Sequence, residues 1–254
     1  MSARSDVGRV RKVNEDSFLA RMPVFLVADG MGGHARGDKA SQAAVRIFEE
    51  RITEGSAPTP DTVLEAIHAA NDAVRSLSEY ADTGIARAGT TLTGVVQVRA
   101  EGEDTDALTH WMVVNVGDSR VYGWDGRSLV QLSVDHSAVQ ELMDAGAITP
   151  EQAARHPERN VITRAIGAED SVDADFSLLP VGGRQTFLVC SDGLTKELDD
   201  GKIAGLLAET AGQPDQDPAT VLVNAALAAG GRDNVTVLVV ESLPADRTGP
   251  LSSR

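Results

Sequence analysis

Cysteine is almost absent from this 254-residue chain: Cys190 is its single thiol, so no disulfide can form within it. A chain without disulfides suits a reducing compartment. A secretion signal is also lacking, because the first four residues, MSAR, do not lead into an apolar segment. No apolar run approaches the roughly 20 residues that a transmembrane helix needs. These absences predict a cytoplasmic protein with no membrane segment in this chain.

Clustered basic residues are lacking too. The net charge is −15, and the lysines and arginines are spread along the chain among acidic residues. Nucleic-acid backbones demand grouped cations, so nucleic acid is not expected as a partner. Apolar residues make up 42% and charged residues 24% of the chain, a balance typical of a globular fold and not of a disordered one.

The strict alternation of strands and helices that marks a doubly wound parallel sheet is also missing. Helical periodicity covers residues 37–53 and 61–80, which follow each other directly, and later 137–145 and 219–229. Short β-rich runs cover residues 24–28, 90–98, 111–116, 128–132, 186–190 and 234–240. Because strands follow strands, we expect largely antiparallel sheets with helices packed outside. With no internal repeat or linker, residues 1–244 are expected to form one domain, followed by a loose tail at 245–254.

Three apolar strands run into aspartates. Asp29 follows FLVA, Asp118 follows VVNVG, and Asp192 follows FLVCS. Core strands that emerge together would bring these carboxylates into one cleft, where bare like charges repel one another. A bound cation resolves that repulsion. Asp233 and Asn234, which open the last strand, extend the pattern.

An Asp-Gly pair is also the commonest signal of a tight hairpin turn, and Asp29-Gly30 alone fits that interpretation. The chain contains its own comparison in Asp125-Gly126, which lies between two short strands and is expected to be only a turn. Repetition at Asp192 and Asp233 favours a metal site over coincidental turns. Oxygen ligands without cysteine or paired histidines favour Mg²⁺ or Mn²⁺ over Zn²⁺, and a glycine after an aspartate lets a backbone carbonyl approach the ion.

The loop GMGGHARG at residues 30–37 matches parts of two nucleotide-binding patterns, and we reject both. It satisfies a dinucleotide fingerprint, but no strand separates the two helices after it, and no strand end about twenty residues on offers an acid for the ribose. It also has the glycine spacing of a P-loop, but Asp38 stands where that loop requires lysine.

Arg11 lies just before the acidic pair Glu15 and Asp16. Alone, this grouping is more typical of a solvated charge cluster than of a site. Beside a metal centre, the arginine becomes a candidate clamp for phosphate, since a guanidinium can bind two phosphate oxygens at once.

Eight blocks of this sequence, in order, resemble the metal-dependent protein phosphatases of type 2C, in their bacterial branch. Each block alone is a weak signal, whereas the ordered set is specific and spans essentially the whole chain. The blocks are GRVRKVNEDS (8–17), VADGMGG (27–33), GTTLT (89–93), NVGDSRVY (115–122), LSVDHS (132–137), NVITRAIG (160–167), CSDGL (190–194) and GRDNVT (231–236).

The resemblance implies an α+β fold, a four-layer αββα sandwich in which two mainly antiparallel sheets are flanked by antiparallel helices. It also implies that Asp29 bridges two ions of Mn²⁺ or Mg²⁺, with the Gly30 carbonyl on one ion and Asp192 and Asp233 on the other. The remaining assignments that it implies are water-mediated contact through Asp16, phosphate binding by Arg11, support from Glu15 and Asn234, and a third, weaker metal position at Asp118 and Asp192.

The implied reaction is hydrolysis of phosphoserine or phosphothreonine by a water or hydroxide that bridges two ions, without a phosphoenzyme. Cys190 then need not be a nucleophile, and its apolar run favours core packing. Met31 stands where many eukaryotic members carry a histidine proposed as general acid, so protonation of the leaving group is unassigned. His34 is three residues further on, although a solvated loop histidine is the simpler interpretation. The family's first strand usually has more residues upstream than this N-terminus provides, so either a short sheet edge or a truncated chain is expected there.

Residues 138–159 correspond to the family's variable flap beside the active site, where substrate gating and an ordinary helical connector are comparably good interpretations. The expected partners are phosphorylated proteins, and a monomer is expected. Two rival functions remain: a catalytically silent phosphoprotein-binding regulator on the same fold, and a dinuclear phosphodiesterase. The intact set of aspartates disfavours the first, and the lack of a basic groove disfavours nucleic-acid substrates for the second.

Overall fold

The structure is a computed structural model that describes residues 1–32, 36–77, 79–81, 84–86, 88–99, 109–213 and 215–242. His34 and the predicted tail at 245–254 lie outside these ranges. Across the described ranges, the helices are too short or too polar to cross a membrane.

Thirteen strands and seven helices follow one another within the described residues. The strands are β1 (Ser2–Asp6), β2 (Asp16–Arg21), β3 (Val24–Met31), β4 (Glu79–Ala81), β5 (Gly84–Ala86), β6 (Gly89–Thr90), β7 (Leu92–Val98), β8 (His110–Val116), β9 (Arg120–Trp124), β10 (Leu129–Gln131), β11 (Asp175–Pro180), β12 (Gln185–Cys190) and β13 (Val235–Ser242). The helices are α1 (Gly37–Arg51), α2 (Pro60–Arg75), α3 (Ala138–Asp144), α4 (Pro150–Ala153), α5 (Asp192–Thr195), α6 (Asp200–Thr210) and α7 (Pro218–Ala229).

The strands form two antiparallel sheets and a small separate hairpin. Sheet A has the order β1-β13-β12-β9-β10, and sheet B has the order β11-β8-β7-β3-β2, with β6 paired to the end of β3. The hairpin joins β4 and β5. All the strand pairs are antiparallel, as the succession of strands in the sequence predicts.

The central strands contain runs of consecutive apolar residues because both of their faces are buried. In β3, Leu26 and Ala28 belong to the core under α1 and α2, whereas Phe25 and Val27 belong to the core between the sheets. Successive side chains of a strand point to opposite faces, so burial on both sides removes the usual polar alternation. Trp111 fills the interior between the sheets, with its ring centroid 6.1 Å from that of Phe25 and 5.2 Å from that of Phe187.

Helices cover the outer face of each sheet. The apolar faces of α1 and α2 pack on sheet B, whereas α6 and α7 pack on sheet A. The entry into α2 is fixed by a capping box of Thr59 and Thr62 with Pro60 in the first turn. The predicted four-layer αββα sandwich is thereby confirmed.

Two sequence-based boundaries need correction. The periodicity predicts a second helix that reaches residue 80, but the helix ends at Arg75, and residues 79–81 pair with 84–86 as strands. The sheet edge at the N-terminus is expected to be short, yet β1 contributes five residues along the edge of β13. The flap-like segment 138–159 contains α3, a turn at Gly146 (φ +67°) and α4.

Candidate metal centre

Five aspartates come together at one end of the sandwich, and both sheets contribute them. Sheet B supplies Asp16 at the start of β2, Asp29 in β3 and Asp118 just after β8, whereas Asp192 follows β12 and Asp233 precedes β13 in sheet A. Four of these residues line a cleft of about 990 Å³. Asp16 is buried close behind them, near enough to raise the pKa of Asp29.

Asp16 and Asp29 are direct neighbours on paired strands. The Oδ2 atom of Asp16 accepts hydrogen bonds from the hydroxyls of Ser191 (2.8 Å) and Thr236 (2.7 Å), which both belong to the sheet A side of the cleft. Burial raises the pKa of Asp16 to about 7, and the charge of Asp192 adds to that effect, although the two hydroxyls oppose it. The carboxyl is therefore held in place by neutral donors without a counter-charge of its own.

The backbone of Asp29 is fixed on both sides. Its N–H donates to the hydroxyl of Thr91 (2.9 Å), and its carbonyl accepts from the N–H of Thr91 and the hydroxyl of Thr90, each at 2.9 Å. Burial raises the pKa of the Asp29 carboxyl well above its ordinary value, and the charges of Asp16 and Asp192 raise it further. Such mutual repulsion is what a cation at this point would relieve.

Gly30 and Gly37 bring the end of β3 and the start of α1 into backbone contact. A Cβ atom on Gly30 would lie 2.1 Å from the carbonyl oxygen of Gly37 and 2.5 Å from that of Glu15, closer than any real Cβ contact. Glu15 takes part mainly through its backbone, because its carbonyl accepts from Gly30 N (3.1 Å) and from the hydroxyl of Ser41 (2.6 Å). The glycine after Asp29 is thus required by this close approach.

Asp192 begins α5, and Lys196 follows one turn later on the same face. The ammonium of Lys196 contacts Oδ2 of Asp192 and lies 3.8 Å from Oδ2 of Asp233. Burial raises the pKa of Asp192, while Lys196 opposes that rise. Burial and then the charge of Asp192 raise the pKa of Asp118 to about 7, again against the effect of Lys196.

Arg11 lies at the mouth of the cleft, with 52% of its side chain exposed. Its Nη2 donates to Oδ2 of Asp233 and its Nε lies against Oδ1, both at 2.9 Å, which makes a two-contact ion pair. Asn234 ties the N-terminal segment to β13, because its Oδ1 accepts from Glu15 N (2.8 Å) while its Nδ2 donates to the carbonyls of Val7 (2.9 Å) and Val13 (3.0 Å). The amide thereby holds in place the loop that carries Arg11.

The donor chemistry of the cleft fits a hard divalent cation. Oδ1 of Asp16, Asp118 and Asp192 are buried, and within the described part of the chain they have no hydrogen-bond partner. Buried carboxylate oxygens without donors are the ligands that Mg²⁺ and Mn²⁺ prefer. Among the described residues, no three His, Cys, Asp or Glu side chains are arranged closely enough around one point to hold a metal ion. In this structure Arg11 and Lys196 neutralise part of the negative charge of the aspartates.

Three further residues, Asp125, His136 and Met31, lie outside the group of five aspartates. Asp125 only closes the β9–β10 hairpin, where its Oδ1 accepts from the N–H groups of Arg127 (2.8 Å) and Ser128 (2.7 Å). His136 is buried just before α3, and its Nδ1 accepts a hydrogen bond from Gly117 N (3.1 Å). Met31 lines the cleft, and the described residues of that lining include no histidine.

Sequence reasoning missed Lys196 and the two hydroxyls on Asp16. The lysine has a readable signal, since a residue four positions after Asp192 shares its helical face once a helix is known to begin there. Ser191 and Thr236 have no such signal, because their contact with Asp16 spans 175 and 220 positions of the chain.

The flap-like segment also reaches the cleft, where Arg155 and Arg159 form part of the wall.

Comparisons with known proteins agree with this geometry. The family model described as protein phosphatase 2C matches residues 9–229. The serine/threonine phosphatase stp of Listeria welshimeri is 34% identical over 248 residues, which cover 94% of this chain and 94% of that protein. The crystal structure of the Mycobacterium tuberculosis serine/threonine phosphatase PstP/Ppp is similar with a TM-score of 0.81 and 36% identity, over 95% of this chain and 97% of that one.

A second solved structure bears on the metal. The catalytic domain of PstP in complex with two manganese ions is similar with a TM-score of 0.77 and 34% identity, over 94% of this chain and 95% of that one. The chain therefore belongs to the protein phosphatase 2C family, the metal-dependent serine/threonine protein phosphatases.

Proposed function

We propose that this chain hydrolyses phosphoserine and phosphothreonine in phosphorylated proteins and that its cleft of aspartates holds the divalent ions for that reaction. The observation that carries the proposal is the convergence of five aspartates from two sheets, three of which keep a buried oxygen without a donor in the described structure. Such an arrangement is costly for a protein that does not bind cations.

The two ions are assigned to Asp29, Asp192 and Asp233, with the carbonyl of Gly30 as a further ligand. Asp16 supports them from behind with one oxygen fixed by Ser191 and Thr236 and the other unpartnered among described residues. When bound, Mn²⁺ or Mg²⁺ neutralises phosphoryl oxygens and acidifies water. Asp118, together with Asp192, is assigned to a third and weaker cation position.

Arg11 is assigned to the phosphate of the substrate. Its guanidinium is half exposed at the mouth of the cleft and already engages a carboxylate with two contacts, which is the geometry that also suits a phosphate. Arg155 and Arg159 of the flap-like segment add positive charge on the wall that a phosphorylated segment would pass. These groups orient the substrate, and the aspartates are reserved for the ions.

A covalent route through Cys190 is disfavoured. The thiol is buried in the core of sheet A, and burial raises its pKa to about 12, so it stays neutral and unreactive near pH 7. We also propose a monomer that works in the cytoplasm. The rival function, a silent phosphoprotein-binding regulator, would leave the unpartnered carboxylate oxygens without a purpose.

The test compares hydrolysis of a phosphothreonine peptide by the full chain with Mn²⁺ and with EDTA. We expect turnover with Mn²⁺ that EDTA abolishes. Asp192→Asn should reduce that turnover at least ~100-fold, since it removes a ligand charge from the centre. Asp125→Asn is the matched control and should change nothing, because Asp125 lies in the exposed hairpin. Folded, manganese-loaded protein that binds the peptide without hydrolysing it would instead identify the silent regulator.

A further inference from the structure

The backbone and the carboxylate of Asp16 are joined by a closed ring of four hydrogen bonds that passes through three other residues. The N–H of Asp16 donates to Oδ1 of Asn14 (3.1 Å), and Nδ2 of Asn14 donates to the hydroxyl of Ser5 (2.8 Å). The hydroxyl oxygens of Ser5 and Thr236 lie 2.8 Å apart, and the hydroxyl of Thr236 donates to Oδ2 of Asp16 (2.7 Å). The hydrogen-bond ring therefore begins at the backbone of Asp16 and ends at its carboxylate.

All four hydrogen bonds of this ring run in one direction. A backbone N–H can only donate, so the N–H of Asp16 fixes Oδ1 of Asn14 as the acceptor and leaves Nδ2 as the donor to Ser5. A hydroxyl has a single proton, and Thr236 gives its proton to Asp16. The proton between Ser5 and Thr236 therefore belongs to Ser5, and each side chain between the two ends of the ring accepts once and donates once.

Ser191 donates to the same carboxylate oxygen of Asp16. Its Oγ accepts from the N–H of Thr236 (2.9 Å), which leaves its own proton for Oδ2 of Asp16 (2.8 Å). Oδ2 thus has two donors, whereas Oδ1 of Asp16 is buried and has no hydrogen-bond partner among the described residues. The hydrogen bonds therefore fix one oxygen of the carboxylate and leave the other one available to the ion site.

We infer that the hydrogen-bond ring positions Asp16 for the divalent ions, so that Ser5, Asn14 and Thr236 are positioning residues of the metal centre. The inference rests on the proposed function, because it takes the cleft to hold those ions. It also makes the edge strand β1 part of the centre, since Ser5 lies in β1 directly opposite Thr236 of β13. A strand that otherwise only extends sheet A thereby sets the orientation of a carboxylate in sheet B.

The test measures the Kd of Mn²⁺ for the EDTA-stripped full chain, from the free Mn²⁺ signal in electron paramagnetic resonance during a MnCl₂ titration. Thr236→Val keeps the side-chain shape without the hydroxyl and should raise Kd about tenfold or more, as for a lost hydrogen bond to a charged group. Thr236→Ser keeps the hydroxyl and should stay within about twofold of the parent chain. Ser5→Ala keeps Thr236 but opens the ring, and should raise Kd about threefold.

Ser2→Ala is the matched control, because Ser2 also lies in β1 but its hydroxyl accepts from the N–H of Ala219 (3.2 Å) in α7. It should leave Kd unchanged. The double variant Ser5→Ala with Thr236→Val should bind Mn²⁺ as Thr236→Val does, since both changes open the same ring. If Thr236→Val folds poorly by circular dichroism, Ser5→Ala and Thr236→Ser decide the question.

The inference is overturned if Ser5→Ala binds Mn²⁺ as the parent chain does, even where its urea midpoint falls, because the hydroxyl is then only structural. It is equally overturned if Thr236→Ser binds as weakly as Thr236→Val, or if Thr236→Val binds more tightly than the parent. Failure of the proposed function would appear separately, as a parent chain that binds Mn²⁺ but does not hydrolyse the phosphothreonine peptide.

Discussion

Arg11 and Asp233 neutralise each other at the mouth of the cleft through two contacts of 2.9 Å. Both groups are assigned other partners during the reaction, phosphate for the arginine and an ion for the aspartate. In the proposed mechanism, this ion pair would keep both side chains in the cleft before the ions and the substrate bind. Its exposure keeps its own contribution to stability small.

Loss of the guanidinium should therefore affect substrate binding more than chemistry. Arg11→Ala is expected to raise KM for p-nitrophenyl phosphate about tenfold while kcat changes by less than about threefold, as for a lost charge-assisted contact. Arg11→Lys should lie between, because it keeps the charge but not the two-pronged geometry. Steady-state kinetics with Arg127→Ala as a distant control would measure this, and an unchanged KM in Arg11→Ala would remove the arginine from phosphate binding.

At the scale of elements, the junction of β3 and α1 leaves no room for a side chain. Gly30 and Gly37 lie in backbone contact, so a Cβ atom on either residue would meet backbone atoms of the other. Gly205 offers the opposite case, because it lies in the exposed middle of α6 and a Cβ there would meet nothing within 4 Å. Gly30 and Gly205 therefore differ in the space that surrounds their Cα atoms.

Alanine at these positions should have opposite effects. Gly30→Ala forces backbone apart and is expected to lower the free energy of unfolding by about 3 kcal/mol or more and to weaken Mn²⁺ binding. Gly205→Ala is expected to raise the free energy of unfolding by up to about 1 kcal/mol, because alanine has the higher helix propensity. Urea unfolding of both variants checks this, and a Gly30→Ala midpoint equal to that of the parent would contradict the close approach.

The sequence predicted most strands in the interiors of the sheets and missed the edge strands β1, β2 and β11, although it predicted the edge strand β10 within residues 128–132. The strands β3, β8 and β12 each contain at least four consecutive apolar residues, so their type could be predicted. By contrast β1 (SARSD) and β11 (DFSLLP) are edge strands with polar or exposed residues, and their pairing depends on neighbours far along the chain. The short α5 is a single turn with no periodicity to read.

The site was predictable to the same extent as the strands that present it. Aspartates at the ends of core strands are visible in the sequence, and that pattern alone groups Asp29, Asp118 and Asp192. The pairing of Asp16 with Asp29 follows from the register of the local β2–β3 hairpin, whereas the hydroxyls of Ser191 and Thr236 that hold Asp16 come from positions far along the chain. The contact of those hydroxyls with Asp16 depends on how the two sheets pack against each other, which local sequence does not specify.

At the scale of the whole molecule, burial of the acidic group should make the stability of the metal-free chain depend on pH. The pKa of Asp16 and of Asp118 is raised to about 7 by burial, against about 4 for an unfolded aspartate. Between these values the folded state binds more protons than the unfolded state, so the free energy of unfolding falls as pH rises from about 4 to about 7.

Metal-free protein should accordingly lose thermal stability over that pH range, and Mn²⁺ should restore it. We expect Mn²⁺ to raise Tm more at pH 7.5 than at pH 5.5, because protons compete with the ion at the lower pH. Calorimetry of EDTA-treated protein with and without MnCl₂ at the two pH values measures the effect. An equal shift at both would show that these carboxyls do not exchange protons for metal.

Because the aspartates are divided between the two sheets, an ion bound among them would link one sheet to the other at the end of the sandwich. Asp16, Asp29 and Asp118 belong to one sheet, whereas Asp192 and Asp233 belong to the other, and the apolar interior around Trp111 keeps the two halves in register. A molecule in which both sheets were formed but not packed against each other would contain its helices and strands but would lack the assembled group of five aspartates. Catalytic competence in this chain therefore requires the two sheets to be packed against each other.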